Sequence, residues 1–158
     1  MKEGNLINAL MGRIGKRLHA QSMTFGSMSQ NGTPDRYFDG PRRDLWVEFK
    51  QLDHMPKTGL AGGITPARDR KKGCYTSQQY DWMLRRHNNG GNVWGMIGLP
   101  NKLVVVQTIP KQWKDGSPVI DAVGRDIAAE MILDFCLGTT NARTAADRDY
   151  QRDRRAVD

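Results

Sequence analysis

Gly32-Thr33-Pro34-Asp35-Arg36-Tyr37-Phe38-Asp39-Gly40, followed by Leu45-Trp46-Val47-Glu48-Phe49-Lys50, is the stretch that decides the fold. It reads as two short strands joined by a turn-rich link containing Asp39, Gly40 and Pro41. In the second strand Leu45, Val47 and Phe49 alternate with Trp46, Glu48 and Lys50, so the apolar set goes to one face and Glu48 with Lys50 to the other. Adjacent strands then bring the carboxylates of Asp35 and Glu48 and the ammonium of Lys50 towards one point. Such an oxygen-rich pair suits a hard cation, Mg²⁺ or Mn²⁺, which keeps some of its waters and binds a phosphate oxygen in a remaining position. Lys50 would hold the attacking water or neutralise charge developing on the phosphate. The alternative is a solvated hairpin whose Glu48 and Lys50 merely face water.

Further along, Thr76-Ser77-Gln78-Gln79 has the form of a capping box, which predicts a helix from Thr76 towards His87, stopped by Asn88-Asn89-Gly90-Gly91. Val93 to Gly98 and Leu103 to Val106 read as strands separated by Leu99-Pro100-Asn101-Lys102. Trp82 and Met83 are expected to pack in the core, as apolar residues at helical spacing do.

The Pro34-Asp35 and Glu48-x-Lys50 half-motifs resemble those of the PD-(D/E)XK nuclease superfamily. With Thr76, Gln79, Trp82 and Gly90 on the following helix, the arrangement is similar to the VRR-NUC branch, including stand-alone phage or bacterial nucleases that resolve Holliday junctions. Arg86 departs from that pattern, which has an apolar residue there. The resemblance implies an α/β, restriction-endonuclease-like core: a mixed central sheet from strands near Asp35, Glu48, Val93 and Val104, flanked by helices near Leu10, Trp82 and Ile127. It implies Mg²⁺- or Mn²⁺-dependent hydrolysis of DNA, with Asp35 and Glu48 as ligands, the Phe49 carbonyl as a further ligand and Lys50 at the nucleophilic water. Gln79 would sit beside the metal, in addition to capping its helix. It further implies a homodimer acting on branched DNA such as four-way junctions. A flap or single-strand nuclease would carry the same residues, whereas a non-catalytic nucleic-acid-binding module would not need Asp35, Glu48 and Lys50 together.

Upstream, Leu6, Ile7, Leu10, Met11, Ile14 and Leu18 recur at helical spacing, predicting an amphipathic N-terminal helix. In the resembling family an acid on this helix faces the metal, and Glu3 is the candidate; otherwise it is an exposed acid favoured by the helix dipole.

A net charge of +7 and a pI of about 9.7 favour a polyanionic partner. Arg42 and Arg43 lie in the turn expected beside the carboxylates. Arg68, Arg70, Lys71 and Lys72 lie in a Gly- and Pro-containing stretch expected to be a loop that grips the nucleic-acid backbone. Val119 to Leu137 reads as one apolar helix that covers the sheet or forms a subunit interface. The 158 residues suffice for one domain, 1–140, followed by a polar tail over 141–158.

Cys74 and Cys136 have no paired spacing, and His19, His54 and His87 are scattered, which argues against zinc and a disulfide framework. No Gly-rich phosphate loop implies a nucleotide cofactor. No apolar run is long enough for a bilayer and no signal-like start is present, which predicts a soluble, cytoplasmic protein without membrane association.

Overall fold

A computed structural model describes residues 3–23, 32–55 and 75–138. Helix α1 (Glu3–Ile14) buries Leu6, Leu10 and Ile14, one face at four-residue spacing. The expected helix through Leu18 is cut short at Ile14. Gly15 has a φ of 58°, a conformation glycine adopts without the steric cost of a Cβ, and after a 3₁₀ turn the chain becomes extended at Leu18. There it forms β1 (His19–Ser22), which carried no apolar alternation by which to be recognised.

Strands β2 (Arg36–Asp39) and β3 (Leu45–Gln51) form the antiparallel pair the opening stretch predicts, with Arg36 opposite Val47 and Phe38 opposite Leu45. Helix α2 (Ser77–Asn88) then returns the chain so that β4 (Val93–Gly98) runs parallel to β3, as a crossover connection permits. Strand β5 (Leu103–Gln107) pairs antiparallel with β4, as expected. A short helix α3 (Pro110–Asp115) follows, opened by proline where its missing N–H costs nothing.

Val119 to Leu137 is not one helix. Val119–Asp121 is a 3₁₀ turn, Val123–Gly124 is strand β6 on the edge of β5, and helix α4 spans Arg125–Leu137. The sheet order is β1-β2-β3-β4-β5-β6, with only β3 and β4 parallel.

Helices cover both faces of this mixed sheet, giving the expected α/β architecture. On one face Leu6, Leu10 and Ile14 of α1 and Ala128, Ile132 and Phe135 of α4 pack on Phe38, Leu45, Val47, Phe49, Trp94 and Met96. On the other, Met83 of α2 and Trp113 of α3 pack with Tyr75, Val93, Ile97 and Val105. The apolar face of α4 is therefore used inside its own domain, and the proposed subunit interface along it shrinks to Ile127, 55% exposed, and the neighbouring Ile120, 91% exposed. Among the described residues no helix is long and apolar enough to cross a membrane. The expected tail, the basic stretch with Arg68, Arg70, Lys71 and Lys72, and Cys74 lie outside the described residues.

Candidate active site

The pairing of β2 with β3 stops at Arg36 opposite Val47, so among the described residues no strand pairs with the last residues of β3 on that flank. Asp35, one residue before β2, turns into this opening and its Oδ2 accepts a hydrogen bond from the Phe49 N–H at 2.9 Å. The N–H and C=O of one strand residue point to the same side. The Phe49 carbonyl therefore faces the flank that Asp35 occupies.

Glu48 projects from the opposite face to Val47 and Phe49, towards α2. It is only 1% exposed, which removes the solvated-hairpin alternative. Its Oε1 accepts from Lys50 Nζ at 2.8 Å and from Gln79 Nε2 in a short hydrogen bond. Its Oε2 is buried without a hydrogen-bond partner. Glu3, in the first turn of α1, places Oε1 3.9 Å from Lys50 Nζ.

Gln79 caps its helix and also touches Glu48. The Thr76 hydroxyl accepts from the Gln79 N–H at 3.2 Å, and Gln79 Oε1 accepts from the Thr76 N–H at 2.9 Å, closing the capping box. Its Oε1 being held by the cap, the side chain presents its amide NH₂ to Glu48. The helix start thus fixes the amide that touches the carboxylate.

The electrostatics are those of an acid cluster short of positive charge. Burial, reinforced by the Asp35 carboxylate and opposed by Lys50, pushes Glu48 up to about 8. Burial also raises Asp35, against the pull of the Phe49 amide and Lys50. Glu3 is raised by burial in spite of Lys50. For Lys50 burial works against the charge, but Glu48, Glu3 and Asp35 outweigh it and hold the ammonium protonated.

Among the described residues no three acids, histidines or cysteines stand close enough to hold a metal ion by themselves. The arrangement still fits a hard cation that takes few protein ligands. Mg²⁺ commonly uses one or two carboxylates and completes its shell with water and phosphate. Glu48 offers a buried, unpartnered oxygen, and Asp35, whose Oδ2 accepts from the Phe49 N–H, lies on the flank that the Phe49 carbonyl faces.

Arg42 and Arg43 are not beside these groups. They lie in the link after β2, at the other end of the strands, where both backbone N–H groups donate to the Cys136 carbonyl of α4 and the Arg43 guanidinium stacks over Phe135 at 4.7 Å. The strand from Leu45 to Lys50 alone spans roughly 16 Å. Sequence proximity misled here because Asp35 opens β2 and the link closes it.

A polar network that the sequence did not reveal backs the site. Glu48 is the register partner of Gly95, and Gly95 of Gln107, so the three form one row across the sheet. Tyr75, the residue before the α2 cap, sends its hydroxyl to Gln107 Oε1 at 2.9 Å, and Gln107 Nε2 donates to Ser117 Oγ at 3.3 Å. A Cβ at Gly95 would stand 1.7 Å from the Tyr75 hydroxyl oxygen. A glycine inside an otherwise apolar strand is the one sequence signal of that close approach.

No protein-family model matches the chain, and no curated protein matches it in sequence. Among solved structures it is similar to Hjc, a Holliday junction resolvase from the archaeal hyperthermophile Archaeoglobus fulgidus. The identity is 14% and the TM-score 0.49, over 82% of this chain and 96% of that one.

Proposed function

We propose that this protein is a Mg²⁺- or Mn²⁺-dependent endonuclease that hydrolyses DNA phosphodiester bonds, with branched DNA such as the four-way junction as its substrate. The observation that carries the hydrolytic reading is Glu48: a carboxylate buried at the end of a central strand, with one oxygen unpartnered, beside Asp35 and Lys50. Burying a charge is costly unless it is compensated, so a fold that keeps such a group has a use for it. The preference for branched DNA, and a homodimer to cut it symmetrically, rest on the resemblance of the Asp35, Glu48, Lys50 and Gln79 pattern to junction-resolving nucleases.

Asp35, Glu48 and the Phe49 carbonyl would hold the cation, while Glu3, expected as a further ligand, stands beside Lys50 on α1. When bound, the cation supplies Lewis-acid polarisation of the phosphate and lowers the pKa of a coordinated water. Lys50, whose pKa the neighbouring Glu48, Glu3 and Asp35 raise against the effect of burial, would stand at the attacking water. It orients that water and stabilises charge that develops on the phosphate oxygens. Gln79 fixes one oxygen of Glu48, which leaves the other free to act as a ligand. Arg42 and Arg43, remote from the carboxylates, would meet substrate well away from the cleaved bond. Arg68, Arg70, Lys71 and Lys72 are proposed to contact phosphates.

Labelled duplex, single-stranded, flap and four-way-junction DNA, incubated with Mg²⁺, Mn²⁺ or chelator, test this directly. Metal-dependent paired cuts near the branch point are expected. Cutting of flaps or single strands alone rejects the junction preference, and no cutting of any substrate rejects the nuclease.

A further inference from the structure

Three aromatic rings on the Glu48 face of the sheet are not accounted for by the chemistry above. Trp46 precedes Glu48 by two residues and projects from the same face of β3, about 7 Å along the strand. Tyr37, its register partner on β2, lies 4.7 Å away between ring centroids, and Trp82 of α2 lies 5.0 Å away on another side. The Arg86 guanidinium sits over Trp46 at 5.9 Å. Trp82, expected in the core, and Trp46 pack against its edge but remain half-buried, as does Tyr37, whereas Trp94 and Trp113 are 1% and 0% exposed.

The position of the cluster is informative. Helix α2 meets β3 along Gln79, Trp82 and Arg86, the first against Glu48 and the others against Trp46. Farther out on this face, the residues in register on β1 and β2, namely Gln21, His19 and Asp39, are exposed. Among the described residues the rings therefore line the step where the helical layer ends over the sheet, on the same face of β3 as Glu48 and Lys50. Arg86 is exposed and supplies positive charge beside them. Asp44 lies close enough to the Tyr37 hydroxyl to raise its pKa, and the ring packs against Trp46. Rigid aromatic surface next to a cation is what a stacked base and its phosphate require, and little conformational freedom remains to be lost on binding.

We infer that Tyr37, Trp46 and Trp82 form a stacking platform for an unpaired base of the DNA strand whose neighbouring phosphate lies at Glu48 and Lys50, with Arg86 meeting the adjoining backbone. The inference rests on the nuclease reading for its choice of ligand, but its test needs no cleavage. The full chain in EDTA is titrated with a short oligodeoxythymidylate and with an abasic oligonucleotide of the same length and charge, following tryptophan fluorescence. Since Trp94 and Trp113 are buried, quenching by a stacked base reports Trp46 and Trp82.

The thymine-bearing strand is expected to quench and to bind roughly ten-fold more tightly than the abasic one, the scale of one base stacked on an aromatic ring. Trp82→Leu, and independently Tyr37→Leu on the other side of Trp46, should remove most of that advantage while abasic binding stays unchanged. Equal affinity of the unaltered protein for the two strands, or no binding of either, overturns the platform whether or not the variants fold. Base preference without any metal-dependent cutting leaves the platform standing and removes the nuclease. Cutting without base preference does the reverse.

Discussion

Glu48 and Gln107 stand in the same cross-sheet row, on either side of Gly95, both buried and both facing the α2 and α3 layer, yet their polar atoms are treated in opposite ways. Gln107 is closed: Tyr75 donates to its Oε1, its Nε2 donates to Ser117, and its backbone carbonyl accepts from Trp113 Nε1 at 3.2 Å. Glu48 is open, with one oxygen crowded by two donors and the other holding none. A satisfied buried network specifies a packing arrangement, whereas an unsatisfied buried carboxylate marks a place where a partner is missing. The two ends of the row thus differ in how fully their buried polar atoms are satisfied, and the proposed chemistry lies at the unsatisfied end.

The contrast breaks most decisively by substitution at the open end. Glu48→Gln or Asp35→Asn should reduce metal-dependent cleavage on the order of 10³-fold or more, since each removes charge needed to hold the cation. Affinity for DNA in chelator should persist or rise as repulsion of phosphate falls. Single-turnover cleavage beside gel-shift titration measures both. Near-normal cleavage by both variants would remove the site.

The next effect concerns pH. Glu48 has its folded-state pKa raised from an ordinary 4.5 to about 8. Between those values the native state binds more protons than the unfolded one. Its contribution is therefore fully present below about 4.5 and is lost as pH rises towards and through 8. Metal-free protein should lose up to a few kcal/mol across this window, on the usual conversion of about 1.4 kcal/mol per pH unit. Glu48→Gln should flatten the profile, and added Mn²⁺ should restore stability at the alkaline end by binding the native state alone. Denaturant melts at several pH values, with and without the metal, decide it. A profile as steep in the variant as in the parent would show that the open carboxylate is not what titrates.

At the closed end, Gln107→Leu should cost about 1–3 kcal/mol, because the Tyr75 and Ser117 hydroxyls lose their partner in the interior. Cleavage per folded molecule should be largely kept. If instead the variant retains stability and loses activity, the division between the two ends of the row is wrong.

How far the sequence carried depended on the range of the interactions. The hairpin of β2 and β3, the capping box of α2 and the pair β4 and β5 are local patterns, and each formed where alternation, cap chemistry or turn residues placed it. The proximity of Asp35, Glu48, Lys50 and Gln79 followed from two half-motifs and a cap, with family resemblance supplying their relation. The six-residue α3 is too short to show an apolar period, whereas strands β1 and β6 were invisible because their partners rather than their own residues define them. The same holds for Tyr75, Gln107 and Ser117, which come from three separate segments and meet only because Gly95 lacks a side chain. The expected position of Arg42 and Arg43 missed for a related reason: nearness along the chain set them by the site, while the direction of β2 carried them to the opposite end.

The smallest expected effect separates the two duties of Gln79. Thr76→Ala removes the hydroxyl that accepts from the Gln79 N–H and should cost about 1 kcal/mol of stability, the usual worth of an N-cap side chain. Gln79 Oε1 can still accept from the Thr76 backbone N–H, so the amide remains pointed at Glu48 and cleavage should fall only a few-fold. Gln79→Met, similar in length but without the amide, loses the reciprocal half of the cap and the donor to Glu48 together. Its stability loss should resemble that of Thr76→Ala, while its turnover falls well below that of Thr76→Ala and its affinity for DNA in chelator is unchanged. Melts on both variants, set beside their single-turnover rates, make the comparison. Equal rates at equal stability would mean that Gln79 serves only the helix, and that the carboxylate at the open end of the row is oriented by Lys50 alone.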